Sequence, residues 1–86
     1  MDLPSPEADW GSIKSDLAKR IRQIRQELYG EHGGPLLARK LRITYRELHL
    51  YETGGTVPAH SILRLIEQTG VNPHWLLTGE GDRFSK

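Results

Sequence analysis

The 86 residues suffice for one small domain, and a fold of that size buries only about 60% of the surface its unfolded chain exposes. With 36% apolar residues, 27% charged residues and a net charge of +1, the composition is that of a globular chain, and no apolar run approaches the roughly 18 residues of a membrane span. The absence of cysteine excludes a disulfide framework and a thiolate zinc site, and the N-terminus has no basic, apolar signal sequence, so a cytoplasmic protein is expected.

The small net charge conceals an uneven distribution. Residues 1–13 carry Asp2, Glu7 and Asp9 without a base, whereas residues 14–46 hold nine bases (Lys14, Lys19, Arg20, Arg22, Arg25, Arg39, Lys40, Arg42 and Arg46) against Asp16, Glu27 and Glu31. A basic block inside a near-neutral chain is an electrostatic footprint for a polyanion, although an ordinary solvated helix face has the same composition.

Residues 1–12 contain two prolines and little periodicity, which predicts a flexible N-terminal arm ahead of a domain over 13–79. From an N-cap at Ser12 or Ser15, Leu17, Ile21, Ile24 and Leu28 recur at helical spacing and define the inner stripe of a first helix. "YGEHGGP" ends that helix in a loop, and Pro35 suits the first turn of a second one, where its missing N–H has no partner to lose. Leu37, Ala38 and Leu41 form the inner face of that helix; Arg39, Lys40 and Arg42 crowd its far side and end.

Thr44 and Glu47 make a capping box, so "TYRELHLYETGG" is a helix start followed by a glycine stop. Its Thr44, Leu48 and Tyr51 point to one side, and Arg46, His49 and Leu50 to the other. Pro58 begins a fourth helix with Ile62, Leu65, Ile66 and Thr69 inside, ended by Gly70. Asn72 and Pro73 cap a short fifth helix, "PHWLL", closed by "TGEG", with residues 80–86 as a C-terminal tail. The fold expected is all-α: a compact five-helix bundle containing two short helices joined by a tight turn, the helix-turn-helix pattern of DNA readers.

At these residues the chain resembles a known family. "RIRQIR", "LARKLRITYRELHLYETG" and "GVNPHWLLTGEG" are similar to the Cro and lambda-repressor-like (XRE) helix-turn-helix proteins, phage-repressor-like regulators above all, over about residues 14–81. The resemblance implies a sequence-specific transcriptional regulator of bacterial or phage type, a repressor, binding double-stranded DNA as a homodimer with no cofactor. Residues 44–52 become the recognition helix, with Tyr45, Arg46, His49 and Leu50 facing the bases. The Arg46 guanidinium suits the two major-groove acceptors of guanine, and Leu50 a thymine methyl. Arg20, Arg22, Arg39, Lys40 and Thr44 become candidates for phosphate contact, together with the start of the helix at Pro35 and the amides of Gly55 and Thr56. Arg25 and Glu52 match positions that form a structural ion pair in the family.

The sequence departs from the family pattern at Gly34, where a phosphate-clamping glutamine is usual, at Arg42, where the turn glycine is usual, and at Thr56, where a base is common. Trp75, Leu76, Leu77 and Phe84 are candidates for a dimer contact; the alternative for Trp75 and Leu76 is closing the core of the first and fourth helices. Members with a further C-terminal domain carry it after such an ending, so the chain is expected to be a stand-alone regulator or the N-terminal domain of a longer one.

An enzyme is not expected: the sequence has no G-x-S-x-G, no H-E-x-x-H and no P-loop lysine. His32, His49, His60 and His74 are scattered and lack metal-ligand spacing. The serious alternative is a protein-interaction module that kept the fold and presents Tyr45, Leu50 and Leu36 as an apolar patch.

Overall fold

The computed structural model describes the backbone of residues 6–84 and the side chains of residues 11–84, and its first helix starts earlier than the sequence pattern predicts. Helix α1 spans Pro6–Tyr29, so residues 6–12 are helix rather than arm; residues 1–5 lie outside the described residues. Pro6 has the φ of a first helical turn and no N–H to leave unpaired, and no proline interrupts the chain again before Pro35.

The other helices are α2 (Gly34–Leu41), α3 (Tyr45–Glu52), α4 (Ala59–Thr69) and α5 (Pro73–Thr78), giving an all-α bundle with no strand among the described residues. Their inner faces meet in one core of Ile21, Ile24, Leu37, Ala38, Leu41, Leu48, Tyr51, Leu65, Val71, Trp75 and Leu76. Leu28, expected in the inner stripe, is 42% exposed. Over the last turn of α1 the buried face rotates to Arg25 and Tyr29, which meet α3 and the core, and Leu28 falls outside it.

Between α2 and α3 the chain turns through Arg42, Ile43 and Thr44. Arg42 adopts the left-handed conformation (φ 59°, ψ 42°) and its N–H donates to the Arg39 carbonyl at 3.1 Å. Arg64 on α4 closes the same helix end by donating Nη1 to the Leu41 carbonyl at 3.2 Å. The next helix begins with both halves of the capping box: Glu47 N–H donates to Thr44 Oγ1 at 3.0 Å, and Thr44 N–H to Glu47 Oε1 at 3.3 Å.

The tail expected over 80–86 is not loose as far as residue 84. Val71 and Phe84 form an isolated antiparallel bridge, Asn72 N–H donates to the Arg83 carbonyl at 2.7 Å, and Asn72 Nδ2 to the Asp82 carbonyl at 2.9 Å. Phe84 packs on the core, and the Arg83 guanidinium lies 6.0 Å from the Trp75 ring centre while pairing with Glu27 at 3.1 Å.

The left-handed conformation costs a side-chain-bearing residue about 1–2 kcal/mol, whereas glycine adopts it freely but loses about 0.5–1 kcal/mol more in backbone entropy on folding. Arg42→Gly is therefore expected to raise stability by up to about 1.5 kcal/mol, read as a higher denaturant midpoint at unchanged slope. A lowered midpoint would assign Arg42 a stabilising contact that outweighs its backbone strain.

Candidate nucleic-acid interface

Helix α3 is held on three sides and open on the fourth. Leu48 is 1% exposed in the core, and the Tyr51 hydroxyl shares a buried hydrogen bond with Ser61 Oγ on α4 at 3.2 Å. At its C-terminal end Glu52, 8% exposed, receives Arg25 in a two-pronged contact, Nε to Oε2 at 2.8 Å and Nη2 to Oε1 at 2.9 Å. The same guanidinium donates Nη1 to the Glu31 carbonyl at 2.6 Å, tying α1, α3 and the loop between α1 and α2 together. Its hydrogen bond to Glu52 raises the Arg25 pKa above the ordinary arginine value, burial opposes that, and the carboxylate charge adds to it. Because the shift is upward, the stability it contributes is fully present below the ordinary arginine range and is lost only at pH above it.

Arg22, one turn earlier on α1, donates Nη2 to the Glu52 carbonyl at 3.1 Å and approaches its carboxylate at 3.8 Å, half its side chain remaining in water. Among the described residues every buried side-chain nitrogen and oxygen has a partner. The helix is thus fixed by groups that are fully satisfied, the condition under which buried polar contacts favour one arrangement.

On the open side Tyr45, Arg46, His49 and Leu50 are all exposed, Tyr45 by 57% and Leu50 by 52%. They divide into two pairs. Tyr45 and His49 line a cleft of about 290 Å3 shared with Arg22, Arg25, Gln26 and Glu31, whereas Arg46 and Leu50 stand outside it. Tyr45 also accounts for Gly34: a Cβ there would lie 2.4 Å from Tyr45 Cε1, so the ring covers the first turn of α2 where a longer side chain would stand.

The phosphate candidates are scattered over the surface. Arg20 lies about 200° around α1 from Arg22 at 100° per residue. It donates Nη1 to the Leu76 carbonyl at 3.1 Å, which commits it to the end of α5, away from α3. Lys40 is turned back over the Tyr29 ring, 5.9 Å from its centre. Thr44 is used in the capping box, and the Gly55 N–H donates to the Leu50 carbonyl at 2.8 Å, so that amide is not available to an anion. Pro35, Arg39 and Thr56 are exposed.

Of the dimer candidates, Leu76 is fully buried and Trp75 is 8% exposed, both facing their own core, and Phe84 is half-buried against it. Leu77 alone of the four offers an open apolar surface, at 56% exposure. No helix among the described residues is long and apolar enough to cross a membrane, and no group of three or more metal-ligating side chains converges there. No protein-family model matches this sequence, and no curated protein matches it.

Removing one partner of a buried ion pair strands the other charge at a cost of about 3–5 kcal/mol. With Arg25 12% and Glu52 8% exposed, Glu52→Gln is expected to cost about 3 kcal/mol in urea unfolding. A loss below about 1 kcal/mol, the range of exposed pairs, would mean that water screens the contact.

Gly34→Ala tests the seat of Tyr45. The exposed ring can swing away and alanine is the better helix former by about 1 kcal/mol, so stability is expected to hold or rise while the Tyr45 ring resonances shift in NMR spectra. A destabilisation of more than about 1 kcal/mol would show instead that the ring on Gly34 fastens α2 to α3.

Proposed function

We propose that this protein is a sequence-specific DNA-binding regulator that reads the major groove with α3, and that it is a phage-repressor-like member of the Cro and lambda-repressor-like (XRE) family. The observation that carries the reading is the asymmetry of α3: its inner residues Leu48, Tyr51 and Glu52 are buried and fixed, and its outer residues Arg46, His49 and Leu50 are exposed on a single helix that follows α2 through a tight turn. A helix of eight residues, backed by buried contacts and open on its outer face, has the dimensions of a groove-reading element. Arg46 is the residue best suited to a guanine edge, Leu50 to a thymine methyl, and Tyr45 to a phosphate or sugar. The basic excess in residues 14–46 supplies the long-range attraction.

A repressor of this kind works in the cytoplasm as a homodimer on two half-sites, since one small module buries too little surface to be selective in a genome. Of the four dimer candidates, Leu77 is the one whose apolar surface is open.

Selection of bound duplexes from a random-sequence pool tests the function, with a palindrome of one dominant half-site as the expected outcome. Arg46→Ala should then relax preference at a single position and cost about 1–3 kcal/mol on the selected site. Exposure of Tyr45 and Leu50 on one helix favours a second reading, a protein-interaction module with an apolar α3 surface. A selection that enriches no sequence, with no salt-dependent binding to duplex, would transfer the assignment to that module.

A further inference from the structure

The N-terminal part of α1 runs ahead of Leu17 for about three turns, and its Gly11, Lys14 and Ser15 share a cleft with the end of α3. Between them lies a cleft of about 410 Å3, lined by Lys14, Lys19 and Arg22 from α1 and by Glu52, Thr53 and Gly54 from the end of α3 and its turn. At 100° per residue the three cations fall within about 140° of one another; Asp16, the acid nearest in sequence, lies about 200° round from Lys14 but only about 60° from Lys19, at i, i+3. Between the cations α1 presents Gly11, Ser15 and Ala18, all small, which leaves the cleft open.

Its one carboxylate, Glu52, is already met by Arg25 and approached by Arg22. Among the described residues no carboxylate pairs with Lys14, which is half-buried, or with Lys19, which is exposed. Among the described residues two lysines therefore line a concave, glycine-edged turn whose one carboxylate is already met by an arginine, an arrangement that favours a bound anion.

The cleft also opens where the outward face of α3 stops. The Leu50 carbonyl accepts both Thr53 Oγ1 at 3.3 Å and the Gly55 N–H at 2.8 Å, which places the turn directly under an exposed residue of the reading face. We propose that this cleft clamps the phosphodiester backbone of the duplex that α3 reads, with Lys14 and Lys19 as the phosphate-binding groups. Arg22, fixed by the Glu52 carbonyl, is the cation that stands between them and α3. Lysine ammonium groups on long stems suit a phosphate as point charges. The clamp rests on the DNA-binding reading, and it supplies on α1 the backbone contact for which Gly34 has no side chain.

The test is the salt dependence of binding to a random-sequence duplex between about 50 and 200 mM salt. Each phosphate contact contributes about 0.9 to the slope of log affinity against log salt, so Lys14→Gln with Lys19→Gln should flatten it by about 1.8. Arg83→Gln, across the molecule on Glu27, should leave the slope unchanged. Ser15→Glu, which introduces an acid into the cleft and keeps both lysines, should weaken duplex binding and decides the matter if the double variant does not fold. A steep slope in the unsubstituted protein that survives both the double substitution and Ser15→Glu would overturn the clamp and leave the DNA reading intact. Absence of salt-dependent binding in the unsubstituted protein would overturn both.

Discussion

The contact between Arg25 and Glu52 is the constraint on which the arrangement of α3 depends. A carboxylate that is 8% exposed at the end of α3 is tolerable only because a guanidinium that is 12% exposed meets both of its oxygens. Charges removed from water gain from each other only when geometry and remaining hydrogen bonds are good. Here the spare guanidinium N–H groups reach the carbonyls of the loop before α2. One arginine thus fixes the end of α3 relative to α1 and also sets where α2 can begin. Arg22 and the pair of hydroxyls on Tyr51 and Ser61 complete the hold, so the outward face of α3 is presented by a scaffold with few ways to relax.

Two departures from the pattern of the proteins the sequence resembles are coupled to this geometry. Gly34 leaves room that the Tyr45 ring occupies, so an aromatic ring from α3 covers the start of α2. Arg42 accepts a backbone conformation usually left to glycine; the turn closes through its own N–H, and Arg64 supports the neighbouring carbonyl at Leu41. Both positions exchange a local preference for a contact made elsewhere, which is how a small domain accommodates unusual residues without losing its fold.

What was legible in the sequence was local or strongly periodic. The capping box of Thr44 and Glu47 is a relation between residues three apart, and the pairs of proline and glycine that open and close α4 and α5 are punctuation the chain carries on its surface. The Arg25 and Glu52 pair lies 27 residues apart and was legible only through resemblance, because neither charge by itself indicates a partner. Periodicity misjudged Leu28, since a helix stripe says nothing about where the facing helices stop. It could not distinguish Arg20, which closes α5, from Arg22, which closes α3, because both are arginines on one helix two residues apart. Lys14 and Lys19 were visible as charge, but their cleft with Gly54 exists only once α1 is laid beside the turn after α3.

The fold-back of residues 82–84 has a consequence for how the domain comes apart. Six residues are too few to sustain a helix unaided, so α5 depends on being tethered at both ends. Its start is tied by Asn72 to Asp82 and Arg83, and Val71 is bridged to Phe84, so the chain after α5 closes a belt around it. Trp75 and Leu76 enter the core on that belted segment. A protease cutting at the exposed residues 79–82 would leave every buried core side chain in one fragment, detach Phe84, and so loosen the segment that carries Trp75 and Leu76. The mechanical weak point of this bundle therefore lies in a stretch that contributes no apolar residue to it.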